Sequence, residues 1–184
     1  MLPDVSFHLI ISDPTSQMLG RELSALVRDG YTSFKVFMAY EGLALNDRQM
    51  LEVMVVARET RALVMAHGEN YDIIRFLTDQ FETEGKMAPR FHAASRPVIA
   101  EREAAHRAIA LAELSNVPLM VAHVCNREAM EEIRHARQRG LKIFGETCPQ
   151  YLVLTADDLD GLNMEGAKYV CSPPLPDVAL MSRC

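Results

Sequence analysis

Short apolar segments alternate with longer amphipathic segments along most of the chain. The apolar segments predict strands over residues 5–11, 33–39, 63–67, 119–124 and 141–145, with a further strand at 168–171. The amphipathic segments predict helices over 15–29, 47–60, 71–84, 98–115 and 127–139. Asn46 and Asn126 stand where helix-capping residues are expected, and 85–97 is predicted to be a polar connection.

Helices between successive strands indicate βαβ units and a parallel sheet that is covered on both faces. A closed (β/α)8 barrel requires about 200–250 residues. The chain has 184 residues and room for about five such units. The pattern therefore predicts either a small open α/β domain or part of a barrel.

Composition narrows the class of protein. Hydrophobic residues make up 49% of the chain and charged residues 24%, which is typical of a folded globular protein. The net charge is -6 and Lys and Arg form no cluster, so neither nucleic acid nor an anionic membrane is an expected partner. No apolar run approaches the roughly 18 residues of a transmembrane helix. The four cysteines lack CxxC spacing and residues 1–4 lack a signal-peptide pattern, which together predict a reduced, cytoplasmic protein.

Lys35 stands within an apolar strand segment, where a charged amine is costly unless it is paired or modified. One interpretation is a strand-end lysine whose ammonium group reaches water. The other is a lysine of lowered pKa that acts as a base, a nucleophile or, once carbamylated, a metal ligand. The residue pattern leaves both open.

His67 and His123 each end an apolar strand segment just before a helix. A single histidine there is more often a core residue, but two at equivalent points favour a shared site, because parallel α/β folds bind ligands at the carboxyl ends of their strands. Neutral imidazole is a common zinc ligand. Glu146 is interpreted as a structural or a catalytic carboxylate, and Cys148, without an adjacent base, is not expected to be a nucleophile. Three further histidines are expected at the surface or behind the site residues, namely His92, His106 and His135.

Seven segments, in order along residues 5–175, resemble the D-hydantoinase/dihydropyrimidinase branch of the amidohydrolase superfamily. They are GYTSFKVFMAY at 30–40, AHGEN at 66–70, HAASRP at 92–97, RAIALA at 107–112, VAHV at 121–124, GETCPQYL at 145–152 and KYVCSPPL at 168–175. Seven motifs in one order are far more specific than any one of them. The chain therefore resembles an internal part of a member of this family, with residues 1–184 as one partial barrel domain.

The resemblance implies a TIM-barrel hydrolase with a binuclear zinc centre. Lys35 matches the lysine that is carbamylated in this family and bridges the two metals. His67 and His123 match the two histidines that bind the second metal. Carbamylation would replace a buried cation with an anion that the metals neutralise, which accounts for an amine inside a strand.

The resemblance also implies the substrate and its contacts. The expected reaction is the ring opening of a cyclic ureide or imide, such as a dihydropyrimidine or a 5-substituted hydantoin, by an enzyme that usually forms homotetramers. Tyr40 matches the tyrosine that donates to the developing oxyanion. Ser172 matches a residue that holds the substrate imide mainly through its backbone, and Phe37 matches one that lines the pocket for the exocyclic group.

The family pattern includes parts that these 184 residues do not match. Its His-x-His pair lies upstream of the first matched segment, its aspartate ligand lies downstream of the last one, and its small β-sandwich domain is built from both termini. Pro176 stands where the pattern has an arginine, and Asp177 is too close to Ser172 to be the aspartate ligand. Residues 177–184 no longer follow the pattern. We therefore expect weak or no activity from the isolated chain, and exposed barrel edges that favour self-association.

Two alternatives stay open. The chain could be a non-catalytic scaffold or interaction protein on the same fold, although retention of Lys35, Tyr40, His67 and His123 counts against a long-standing loss of the site. It could also be a related cyclic amidohydrolase such as an allantoinase. The sequence CPQY at 148–151, however, looks more like the D-hydantoinase/dihydropyrimidinase branch than like allantoinases.

Overall fold

A computed structural model describes residues 5–177 as an α/β fold around one parallel sheet. The strands are β1 Leu9–Ile10, β2 Ser33–Phe37, β3 Leu63–His67, β4 Leu119–Val121 and β5 Ile143–Gly145. They lie in the order β1-β2-β3-β4-β5, and each neighbouring pair is parallel. The predicted parallel sheet and its five leading strands are confirmed.

Helices connect these strands. A π-helical segment, Met18–Glu22, runs into α1 Leu23–Arg28, and α2 Asp47–Thr60, α3 Tyr71–Thr83, α4 Arg90–Ala94, α5 Val98–Ser115 and α6 Arg127–Gln138 follow. Asn46, Asn70 and Asn126 cap α2, α3 and α6, because each side chain accepts a hydrogen bond from the backbone N–H three residues later. Three 3₁₀ segments come after β5, at Pro149–Leu152, Ala156–Leu159 and Leu162–Tyr169.

The two faces of the sheet differ in burial. Parallel crossovers are almost always right-handed, so a strand order that follows the chain order places the connecting helices on one face. The register row on that face is at most 2% exposed and consists of Phe34, Val64, Leu119 and Ile143. In the next row, which points to the other face, Ile10 is 58% exposed and Phe144 43%. The expectation of a sheet that is covered on both faces is wrong for residues 5–177, since the winding never reverses direction as it does in doubly wound sheets and the second face stays partly exposed.

Other differences concern the ends of elements. β1 occupies only Leu9–Ile10 of the predicted 5–11, and Val5 and Phe7 remain 71% and 63% exposed. Part of the predicted polar connection forms α4. The strand predicted at 168–171 is wrong, because Lys168 and Tyr169 end the last 3₁₀ segment and β5 is the final strand of the described sheet.

None of the helices within residues 5–177 has the length and apolar character needed to cross a membrane. Three of the four cysteines are free thiols, as predicted, namely Cys125, Cys148 and Cys171. The fourth, Cys184, lies outside the described residues, as do residues 1–4 and most of the divergent segment 177–184.

Candidate metal and substrate site

The side chains predicted to carry chemistry lie at the carboxyl edge of the sheet. Phe37 and His67 are the last residues of β2 and β3 and are register partners. Lys35 is two residues earlier on β2 and therefore shares the more open face with Phe37. His123 lies two residues beyond the end of β4. Three neighbouring strands thus deliver four of the predicted residues to one edge.

His67 and His123 face each other. His67 Nδ1 lies 2.8 Å from His123 Nε2, and the ring centroids are 4.5 Å apart. Regular alternation beyond β4 would put His123 on the helix-covered face with Val121. Instead, the backbone φ of His123 is +42°, in the left-handed region, and this turn directs the ring toward His67. Non-glycine residues held at positive φ concentrate at functional sites.

Burial shifts the protonation of His123 and Lys35. It lowers the pKa of His123 to about 3, with neighbouring His67 and Lys35 adding to the effect, so His123 is a neutral imidazole at neutral pH. Burial also lowers the pKa of Lys35 to about 8, while Glu146 and Cys148 oppose the shift. The Lys35 Nζ lies 5.3 Å from the centre of the Phe37 ring. Neutral imidazole binds metals and neutral amine is the nucleophilic form of lysine, so both side chains are biased toward reactive states.

Tyr40 lies in the loop after β2, with a backbone φ of +78°. Its ring centroid is 4.9 Å from that of His67 and 6.1 Å from that of Phe37. Burial raises the pKa of Tyr40, and a side-chain hydrogen bond with Ser172 partly offsets this, so the phenol keeps its proton at neutral pH. Ser172 Oγ also lies 3.4 Å from His92 Nε2. The structure therefore joins Ser172, from the far end of the described chain, to the edge that carries the histidines.

The sequence motifs predicted no role for Glu69 and Arg96, although these residues stand in the matched segments 66–70 and 92–97. Glu69 is 1% exposed, and its Oε2 lies 2.7 Å from His67 Nε2. Arg96 Nε lies 3.8 Å from Glu69 Oε1. His92 is half-buried behind Ser172, and burial, with Arg96 adding to it, lowers its pKa to about 4. A carboxylate two positions after a strand-end histidine was the available signal for Glu69.

A second buried polar cluster joins α5 to the loop before α6. Glu101 accepts hydrogen bonds from the Cys125 backbone N–H at 3.0 Å, the Cys125 thiol at 2.9 Å and the Asn126 side-chain amide. Burial raises the pKa of Glu101 to about 7 and also raises that of Cys125. The Cys125 thiol is therefore an unreactive hydrogen-bond donor.

Two cavities open beside the loops that follow β3, β4 and β5. One, of about 550 Å³, lies between α6 and the segment after β5 and is lined in part by Met130, Ile133 and Glu146. The other, of about 400 Å³, reaches Glu69 and Glu101 from the side of α4. Among the residues that the structure describes, Lys35, His67 and His123 line neither of these two cavities.

The residues at this edge suit a divalent metal in part. Two imidazole nitrogens converge next to a lysine of lowered pKa, and nitrogen donors of this kind are common in zinc sites. Among residues 5–177, no three His, Cys, Asp or Glu side chains are grouped to hold a metal ion by themselves. The two imidazoles would therefore need at least one further ligand to hold a metal ion, and Lys35 is the nearby side chain that could supply it once carbamylated.

Comparison with known proteins shows which proteins this chain is similar to. No family model matches the chain. It is 48% identical over 173 residues to the D-hydantoinase of Streptomyces coelicolor, and 46% identical over 172 residues to that of Ralstonia pickettii. Over almost all of its length, the chain is therefore similar to part of a D-hydantoinase. These alignments cover 94% and 93% of the chain but 37% of the length of each curated relative.

The structural comparison agrees. The crystal structure of the dihydropyrimidinase from Brevibacillus agri matches this chain with a TM-score of 0.93 at 43% identity. The match covers 96% of the chain and 39% of that structure. The prediction of a partial TIM barrel is thereby confirmed, and the one-directional winding of β1 to β5 is the part of the barrel that the chain supplies.

Proposed function

We propose that this chain carries part of the active centre of a metal-dependent hydrolase that opens cyclic amides of the dihydropyrimidine or 5-substituted hydantoin type. The observation that carries the proposal is the approach of His67 Nδ1 to 2.8 Å from His123 Nε2, at the same edge as Lys35 and Tyr40. The names of the relatives, D-hydantoinase and dihydropyrimidinase, support the reaction class.

In this proposal His67, His123 and a carbamylated Lys35 hold zinc. Carbamylation would form a bond from the neutral amine nitrogen of Lys35 to the carbon of carbon dioxide, and two protons of the original ammonium group would leave to solvent. An anionic oxygen ligand would then replace a half-buried cation, which removes the cost of a partly desolvated ammonium group. Bound zinc would polarise the scissile carbonyl and activate water for attack at neutral pH.

The remaining residues bind and orient the substrate. Tyr40 donates its phenolic hydrogen to the carbonyl oxygen as negative charge develops there, and its raised pKa keeps that hydrogen in place. Phe37, whose ring stacks on His67 at 5.5 Å, offers an apolar wall to the exocyclic group. Ser172, hydrogen-bonded to Tyr40, holds the imide of the ring mainly through its backbone.

We further propose that a polypeptide of these 184 residues alone is weakly active or inactive, because it spans 37% of the length of its curated relatives and the two imidazoles are only part of a ligand set. The working protein is proposed to be a cytoplasmic homo-oligomer. Its partner is a small cyclic ureide or imide.

Zinc stoichiometry tests the proposal. The chain is purified with zinc and bicarbonate, and bound zinc is measured by elemental mass spectrometry in the unaltered chain and in K35A and H123A. The matched controls are K142A and H106A, which remove an exposed lysine and an exposed histidine. Near-stoichiometric zinc that is lost in K35A and H123A, but kept in both controls, is the expected result. Bound zinc in the same samples is then compared with ring opening of dihydrouracil and of a 5-substituted hydantoin.

Absence of zinc from the unaltered chain, or equal zinc in all five proteins, would overturn the metal site. The alternative of a non-catalytic scaffold would then be favoured for this chain. An allantoinase would instead be indicated by faster ring opening of allantoin than of either test substrate.

A further inference from the structure

We propose that Glu69 is a positioning residue, which holds His67 in the tautomer and ring orientation that present Nδ1 to the metal position. The inference rests on the proposed function for the metal, but the contact itself is a property of the chain. Glu69 follows His67 by two residues and is placed by the loop between β3 and α3. It is not a catalytic residue in this scheme, because it acts only through His67.

The burial of Glu69 calls for a specific role. The side chain is 1% exposed, and a carboxylate removed from water is strongly disfavoured unless it is hydrogen-bonded or paired. Within residues 5–177, its hydrogen bond is the one to His67 Nε2, at 2.7 Å. Arg96 lies 3.8 Å from the other oxygen, which is an ion pair rather than a hydrogen bond. Asn70, not Glu69, caps α3, so helix capping does not account for the carboxylate.

Arg96 is itself held in place. Its Nη1 donates to the His92 carbonyl at 3.1 Å and to Ser95 Oγ at 3.0 Å, both at the end of α4. The guanidinium therefore lies fixed behind Glu69 and offsets its charge. A series of polar contacts thus connects the end of α4, through Arg96 and Glu69, to the imidazole of His67.

These contacts determine which ring nitrogen of His67 keeps a lone pair that can bind a metal. A carboxylate only accepts hydrogen bonds, so Glu69 selects the tautomer with hydrogen on Nε2 and leaves the lone pair on Nδ1. The Phe37 and Tyr40 rings further confine the His67 ring, with ring centroids 5.5 Å and 4.9 Å from that of His67. Nδ1 consequently faces His123 Nε2 at 2.8 Å. Histidine ligands commonly donate their second ring N–H to a carboxylate, and loss of that partner typically weakens metal affinity by about 10–100-fold.

The test uses the full 184-residue chain with E69Q and E69L. Gln keeps an acceptor without the charge, whereas Leu keeps much of the volume without an acceptor. The matched controls are E132Q and E132L, because Glu132 makes a histidine–carboxylate pair with His106 at 2.9 Å on the surface. Zinc affinity is measured by competition with a chromophoric chelator in bicarbonate buffer. The tautomer of His67 is measured without metal from the ¹⁵N shifts of its ring, and circular dichroism checks folding.

We expect E69L to bind zinc about 10–100-fold more weakly, E69Q to fall between E69L and the unaltered chain, and both Glu132 variants to match the unaltered chain. We also expect His67 to carry hydrogen on Nε2 in the unaltered chain and to become a mixture of tautomers in E69L. An unchanged His67 tautomer in folded E69L would overturn the inference, whatever happens to zinc. If the unaltered chain binds no zinc but E69L still loses the Nε2–H tautomer, the proposed metal site fails and the positioning role stands.

Discussion

Glu101 makes the stability of the chain depend on pH in a direction that the structure sets. The side chain is 4% exposed, and its pKa is raised from 4.5 to about 7, chiefly by burial, with Glu69 adding to the effect and the Cys125 and Asn126 hydrogen bonds opposing it. A carboxyl group whose pKa is higher in the folded state binds its proton more tightly there. Its contribution is therefore fully present below pH 4.5 and is lost as the pH rises through about 7.

The size of the effect follows from the same pKa. At about 1.4 kcal/mol for each unit of pKa, ionisation of buried Glu101 destabilises the folded chain by on the order of 3 kcal/mol above pH 8, of which about 2–3 kcal/mol develops between pH 5 and pH 8. Glu101→Gln removes the ionisation and keeps an acceptor for the Cys125 N–H. The free energy of unfolding of E101Q relative to the unaltered chain should therefore rise by that amount between pH 5 and pH 8.

Urea unfolding followed by circular dichroism at pH 5, 6, 7 and 8 measures this difference. Glu59→Gln, at an exposed position of α2, is the matched control and should show no comparable change. A difference between E101Q and the unaltered chain that stays constant from pH 5 to pH 8 would refute the reasoning. It would mean that folding does not raise the pKa of Glu101, because the folded and unfolded states would then bind the same number of protons throughout that range.

Three further predictions concern packing, capping and catalysis. Phe34→Ala removes a fully buried ring and should cost about 3–5 kcal/mol in urea unfolding, whereas Phe76→Ala, at a ring that is 71% exposed, should stay within about 0.5 kcal/mol. Asn126→Ala should cost more than the roughly 1 kcal/mol of an ordinary cap, and more than Asn46→Ala, because the Asn126 amide also donates to a buried carboxylate; equal losses would contradict this. Tyr40→Phe should lower kcat about 100-fold with little change in KM in an active form of the enzyme, and an unchanged kcat would remove Tyr40 from the oxyanion site.

Much of the fold was predictable from local sequence patterns. The strand at Leu63–His67 and the helix at Val98–Ser115 have the predicted bounds, because the first is a short apolar run and the second is a long run of helix-forming residues without proline or glycine. The asparagines that cap α2 and α6 were recognisable from their place before periodic segments. The burial of each face was harder to predict, because it depends on strand order, which local periodicity does not encode.

The candidate site residues were predictable where they stand in a family motif or at a strand end. Their arrangement in space was not predictable, because it depends on tertiary contacts. Lys35, Tyr40, His67 and His123 were singled out from strand ends and family motifs, and their roles as ligands and donor stay predictions. The meeting of the two histidines depends on the positive φ of His123, which the VAHV pattern does not reveal. The segment at 168–171 has strand-like residues but no neighbouring strand in the described sheet, so tertiary context overrides its propensity.

The left-handed backbone at Tyr40 and His123, with φ of +78° and +42°, changes how substitutions at these two positions must be interpreted. Alanine keeps a Cβ and therefore retains most of the conformational penalty, about 1–2 kcal/mol, while it removes the ring. Glycine removes the ring and also releases the penalty. A glycine variant that is inactive yet more stable than the alanine variant would show that the fold sacrifices stability to aim these rings. Paired alanine and glycine substitutions therefore measure the cost of preorganisation separately from the chemistry that it serves.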